Sequence, residues 1–201
     1  MEPGTYIAGV WSGHDCSYFI LDHEGNPVVH NEYERFIREK EPKGDSIQFL
    51  RDHFEELENI KYIATCWPHS ARTFNELDYG VRIGHHESHA VNAFYSSNLH
   101  DAKILTIDGG GIEDSEGTTC SLSIWEGRDT YMRNLKSFPT NVLNVGGVWT
   151  RVTRYVFGLQ SGWPTGHQAG TVMAMAALGD PHRYYHDFFT CWSHVVPLIN
   201  F

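Results

Sequence analysis

The chain has 201 residues, 41% of them hydrophobic and 20% charged, and a formal net charge of −10. This is enough for one ordinary domain or two small ones, with about 70% of the unfolded chain's surface buried on folding, and the composition is that of a soluble globular protein. The acidic balance without a Lys/Arg-rich run disfavours nucleic acid as a partner, and no run of about 18 apolar residues is present to cross a membrane.

Cys16, Cys66, Cys120 and Cys191 are scattered and form no C-x-x-C. That spacing suits neither a thiolate zinc site nor a disulfide framework. Residues Met1 to Gly9 carry no basic-then-apolar leader, so a cytoplasmic location is expected.

Alternating apolar residues predict a first strand over Tyr6–Val10 and a second over Ser17–Leu21. The turn His23-Glu24-Gly25-Asn26 leads into a third strand over Val28–Tyr33. Asp45 or Ser46 then caps a helix whose apolar stripe is Ile47, Leu50, Phe54 and Leu57. A fourth strand, Tyr62–Cys66, is stopped by Trp67-Pro68, and a helix from about Glu87 to Ser97 follows.

A second round begins at Ile104–Ile107, which delivers Asp108 into a turn made of Gly109, Gly110 and Gly111. It continues through Cys120–Trp125, a turn at Glu126 to Asp129, Tyr131–Leu135 and a helix over about Val145–Phe157. Helices over Ala169–Leu178 and from Pro181 to about Val195 close the pattern. Three strands and a helix, twice over, fit either an ordinary mixed α/β domain or a duplicated one.

Gly84-His85-His86-Glu87-Ser88-His89-Ala90 is the most informative stretch. Residues four apart share a helix face, so His85 and His89 can direct two imidazoles at one cation, with Asp108 as a third ligand. The chain holds 13 histidines, so on spacing alone a packed or solvated pair fits as well. The zinc-protease motif is excluded because the residue after His85 is His86, not Glu. Adjacent residues face apart on a helix, so His86 is expected to pack or hydrogen-bond beside the site.

The segment HHESHAVNAFYSSNLHDAKILTIDGGG resembles the carbamoyltransferase family of the nodulation, cephamycin and tobramycin O-carbamoyltransferases. That family shows a double His, a third His three residues later, an Ala-rich helix and a strand ending in Asp-Gly. HDCSYFILDHEGNPVVHNEYERFIREK resembles its His-Asp-x-Ser strand, hairpin and Glu-Glu-Arg-x-x-Arg-x-Lys close. VTRYVFGLQSGWPTGHQAGTVMAMAALGDP resembles its Gly-Lys-x-Met-x-Leu-Ala helix start. The three blocks lie in order between residues 9 and 181.

The resemblance implies an α/β fold of the actin-like, duplicated ribonuclease-H-like kind. Residues 1–100 would form the first subdomain and 101–201 the start of a second. It implies passage of a carbamoyl group from carbamoyl-adenylate, made from ATP and carbamoyl phosphate, to a hydroxyl of a small-molecule acceptor. A divalent metal, with iron the first expectation, would be held by His85 and His89 with Asp108 as the nearby carboxylate. His14 would be the general base and Lys40 would touch the carbamoyl or phosphate group. Asp15, Arg35, Asp108, Gly109, Gly110 and Gly170 would line the adenylate.

Other readings of these residues stay open. Lys40 lies in a charged run with Arg35, Arg38, Glu39 and Glu41, and Arg35 or Arg38 can pair with Glu32 or Glu34 instead. His14 and Asp15 suit a hairpin turn, and the glycines a flexible one.

The family's Glu-Gly-Lys start is here Ala169-Gly170-Thr171, which removes its Glu and Lys or moves their role to His167 or Gln168. No segment of this sequence corresponds to the family's adenosine-clamping glycine pair or its adenylate-forming domain. The sequence is therefore expected to be the N-terminal portion of such an enzyme, working with a C-terminal partner chain or as a homodimer. A non-catalytic remnant or subunit and a simple metal-dependent hydrolase are the competing readings.

Overall fold

The structure is a computed structural model that describes residues 1–67, 79–160 and 168–183. Strands β1 (Tyr6–Trp11) and β2 (Ser17–Asp22) alternate as the sequence predicts, burying Ala8 and Val10 from one and Tyr18 and Ile20 from the other. They pair antiparallel from Tyr6 opposite Asp22 to Trp11 opposite Ser17. The next turn is shaped by Asp22, whose Oδ1 accepts the amides of Glu24 and Asn26, both at 2.9 Å. Gly25 has φ +88° there, a conformation that glycine adopts without steric penalty. Strand β3 (Pro27–Glu32) then returns antiparallel to β2.

Helix α1 (Tyr33–Ile37) is short and ends where Arg38 turns left-handed at φ +62°. Asp45 is the cap of helix α2 (Ser46–His53), with Oδ1 accepting from Ile47 N at 3.0 Å and Gln48 N at 3.1 Å. Ile47, Phe49 and Leu50 pack on Ala8, Val10, Tyr18, Ile20, Ile60 and Ile63. Full burial of each large aliphatic chain contributes about 1.5–3 kcal/mol. Strand β4 (Ile60–Cys66) runs parallel to β1, and β5 (Gly80–Ile83) parallel to β4, giving the order β3-β2-β1-β4-β5.

Helix α3 (His85–Tyr95) packs Ala90 and Phe94 against Ile104 and Trp125. Strands β6 (Asp101–Ile112), β7 (Thr119–Arg128) and β8 (Tyr131–Pro139) form a second sheet in that order, with β7 and β8 antiparallel. Gly127 is required under Phe94, because a Cβ there would lie 2.8 Å from the ring. Glu126, 7% exposed, is gripped by Lys103, Arg133 and Arg128; the Lys103 and Arg133 hydrogen bonds hold its carboxyl at about 2. Helix α4 (Val145–Arg151), capped by Asn144, continues as a π-helical turn over Val152–Val156, and α5 covers Ala169–Ala176.

Two compact units result. One comprises Met1–Ser88 with Ile112–Gly117, the other His89–Gly111 with Thr118–Phe201, and the boundary falls within α3. No helix among the described residues is long and apolar enough to cross a membrane.

Several expectations are corrected. Gly109, Gly110 and Gly111 continue β6 as strand instead of forming a turn. Of the three, Gly110 is the constrained one: it takes φ +144°, and a Cβ there would lie 3.2 Å from Thr140 Oγ1. Helix α3 starts two residues earlier than predicted, at His85, and ends at Tyr95. The helix over Val145–Phe157 changes its hydrogen-bond step at Val152. Of the helix predicted from Pro181, only residues 181–183 are described, and they form a turn. The rest of it, with Cys191, lies outside the described residues, as does His167.

Candidate metal centre

Helix α3 presents its residues in two stripes. His86, Ala90 and Phe94, four apart, are buried, with His86 fully so. One residue earlier on the spiral, His85 and His89 form a stripe that is partly open to solvent. The first turn is drawn tight by the Ser88 amide donating to the Gly84 carbonyl at 3.0 Å and by Ser88 Oγ donating to the His85 carbonyl at 2.7 Å. The imidazoles of His85 and His86 meet edge-on at 5.6 Å.

Strand β6 supplies the third group. Asp108 Oδ2 lies 3.5 Å from His89 Nε2, and Asp108 Oδ1 accepts the Gly109 amide at 2.5 Å. Ligand atoms of His85, His89 and Asp108 all lie within 4.8 Å of one another. Two imidazole nitrogens and a carboxylate oxygen are a three-ligand donor set, with bonds of roughly 2.0–2.2 Å to a divalent ion. Bonds of that length hold donors no more than about 4.4 Å apart, so small side-chain rotations close the set. The residues fit a metal.

Helix α4 fixes the backbone at Asp108. A Cβ on Gly146 would stand 2.3 Å from Gly109 N, 2.4 Å from Asp108 C and 2.6 Å from Asp108 O, so only glycine allows this approach. Asn144 Oδ1 accepts the Gly147 amide at 2.6 Å and holds the start of that helix.

Glu113 was not singled out by the sequence. Its Oε1 accepts the His86 amide at 3.0 Å, and a Cβ on Gly84 would lie 2.5 Å from its Oε2. Nothing in the spacing of Glu113 marks this role, which depends on tertiary contact. Burial pushes the nearby Cys66 thiol up, against a hydrogen bond with the Ser88 side chain, so this group stays a neutral thiol.

His14 and Asp15 form an exposed pair, Nδ1 to Oδ2 2.7 Å, in the β1–β2 turn, where Asp15 adopts φ +61°. Arg35 Nε donates to Glu32 at 2.5 Å. Lys40, 88% exposed, donates to Glu34 at 2.7 Å, and that hydrogen bond raises its pKa. Gly170 lies in the first turn of α5 with open space around it. His14, Asp15, Arg35 and Lys40 belong to the first unit, and Asp108, Gly109, Gly110 and Gly170 to the second.

No family model matches the chain, and no curated protein matches it. Among solved structures, full-length HypF in its phosphate- and nucleotide-bound form is similar at 14% identity and a TM-score of 0.46, over 66% of this chain. HypF of T. kodakarensis is similar at 18% identity and a TM-score of 0.47, over 64% of this chain. The chain spans only 22% and 18% of the length of these two structures.

Proposed function

We propose that the chain is the N-terminal portion of an O-carbamoyltransferase that uses a divalent metal held by His85, His89 and Asp108. The observation that carries this is the convergence of those three side chains within 4.8 Å, on the motif that resembles the family. The sheet order β3-β2-β1-β4-β5 and the recurrence of three strands followed by a helix at β6-β7-β8 and α4 support a duplicated, actin-like reading.

In this reading the acceptor hydroxyl oxygen bonds to the carbamoyl carbon while the bond from that carbon to the phosphate oxygen breaks, releasing AMP. A bound metal would neutralise phosphate charge and polarise the carbonyl as a Lewis acid. Asp108 is held ready by the Gly109 amide and by the close approach of Gly146. His14 takes the hydroxyl proton, its ring oriented by the 2.7 Å contact of Nδ1 with Asp15 Oδ2. Lys40 offers a point charge to the phosphate or carbamoyl oxygen, exchanging its Glu34 partner for the ligand.

A single-turnover assay tests the proposal. The chain, in excess, receives carbamoyl-adenylate, ferrous iron and a panel of polyhydroxyl acceptors, with and without a separately expressed carbamoyltransferase C-terminal half. Little transfer is expected without that half. A carbamate ester that disappears in His85→Ala/His89→Ala supports transfer. AMP release with no ester on any acceptor would instead mark a metal-dependent hydrolase.

A further inference from the structure

Helix α3 begins without a capping side chain at the residue before it. The residue before His85 is Gly84, which has none, and the Gly84 amide reaches Glu87 Oε2 at 3.3 Å. The His86 amide is met from elsewhere in the chain by Glu113 Oε1 at 3.0 Å. Helix N-termini need such acceptors and favour negative charge.

The glycine and the glutamate are matched. A Cβ on Gly84 would lie 2.5 Å from Glu113 Oε2 and 3.2 Å from the Glu113 carbonyl oxygen. A side chain at position 84 would force the Glu113 carboxylate to shift and would crowd the Glu113 carbonyl. His85 sits between these two contacts, followed by the buried His86 ring. The backbone on both sides of the first ligand is thereby fixed, and with it the point from which the imidazole projects.

We infer that Glu113 is a positioning residue: its carboxylate caps α3 at the His86 amide and so sets the His85 imidazole in the ligand set. This rests on the metal reading given above. Outer groups that orient a ligand typically contribute 10- to 100-fold in metal affinity. Glu113 acts on the backbone of the ligand's helix and not on the imidazole itself, which places its effect at the lower end.

The test uses cobalt(II) chloride as the probe, followed by its visible spectrum, together with hydrogen exchange of the His86 amide. Glu113→Ala should weaken cobalt binding by about tenfold and speed exchange at His86. Glu113→Gln keeps a carbonyl acceptor and should recover most of both. Gly84→Ala leaves the carboxylate in the chain but crowds it away, and should reproduce the loss; it carries the test if Glu113→Ala fails to fold. A merely structural role would lower the melting temperature and leave cobalt affinity in the folded variant unchanged.

Parent-like cobalt affinity in folded Glu113→Ala or Gly84→Ala, with cobalt lost in His85→Ala/His89→Ala, overturns the role of Glu113 and leaves the metal reading standing. A parent chain that takes up no cobalt overturns the metal reading and the ligand-positioning role with it.

Discussion

Gly146→Ala separates the ordinary effect of a helix substitution from a specific effect on Asp108. In an exposed helix interior, Ala in place of Gly would stabilise by about 1 kcal/mol. Here the new Cβ would stand 2.3 Å from Gly109 N and 2.4 Å from Asp108 C, where ordinary contact begins at 3.4 Å. Both obstacles are backbone, so the helix and β6 must part by roughly 1 Å, and such overpacking costs about 1–3 kcal/mol. We expect a net loss of up to about 2 kcal/mol. A 1 Å shift also exceeds the roughly 0.2 Å tolerance of metal–ligand bonds, so cobalt affinity should fall at least about tenfold. Gly147→Ala is the control: its Cβ would meet the Asn144 side chain at 2.7 Å and would perturb the cap, not Asp108. Thermal melts and cobalt titrations on the three proteins supply the comparison. A Gly146→Ala protein that melts no lower than the parent and binds cobalt equally would refute the reasoning.

Glu126→Gln should melt lower than the parent at pH 7. The Glu126 carboxyl, held at about 2 by Lys103 and Arg133, lies below the ordinary value of about 4.3, so its contribution is complete above about pH 4.3 and is lost as pH falls to about 2. The variant's melting temperature should therefore fall less steeply across that window, and equal slopes would remove Glu126 as the cause. Asp45→Ala deletes the α2 cap and should cost about 1 kcal/mol in denaturant unfolding; an unchanged midpoint would show that the cap contributes nothing. Lys40→Ala should leave the melting temperature within about 1 °C, since exposed charge losses are small, while weakening adenylate binding by calorimetry. A parallel loss of fold would mark Lys40 as structural.

Local chemistry made the first unit readable. Alternation in β1 and β2, the Asp22 turn and the Asp45 cap each act over a few residues and leave a local trace. Strand β5 left none: it is four residues long, Val81 is exposed, and it exists because it pairs with Ile63 to Cys66 of β4. Helix α3 starts two residues before its expected position for a related reason. Its first turn is capped by Glu113, 27 residues beyond the amide it serves, so no capping residue stands just before His85. Gly109 to Gly111 suggest a turn because glycine is free to bend, but here they continue β6, where Gly110 takes φ +144° and lies close to Thr140. The histidine pair was legible because helical spacing alone puts His85 and His89 on one face. Asp108 was legible as the end of an apolar run, but its 3.5 Å approach to His89 depends on packing that sequence spacing does not encode.

Metal content is the most direct test of the central claim. The chain, reconstituted anaerobically with ferrous iron and passed through a desalting column, should retain about one ion per molecule by mass spectrometry. The His85→Ala/His89→Ala protein, treated alike and shown to be folded, should retain almost none, because one carboxylate cannot hold the ion against water. Equal iron in the two proteins would contradict the assignment of His85, His89 and Asp108 as the metal site.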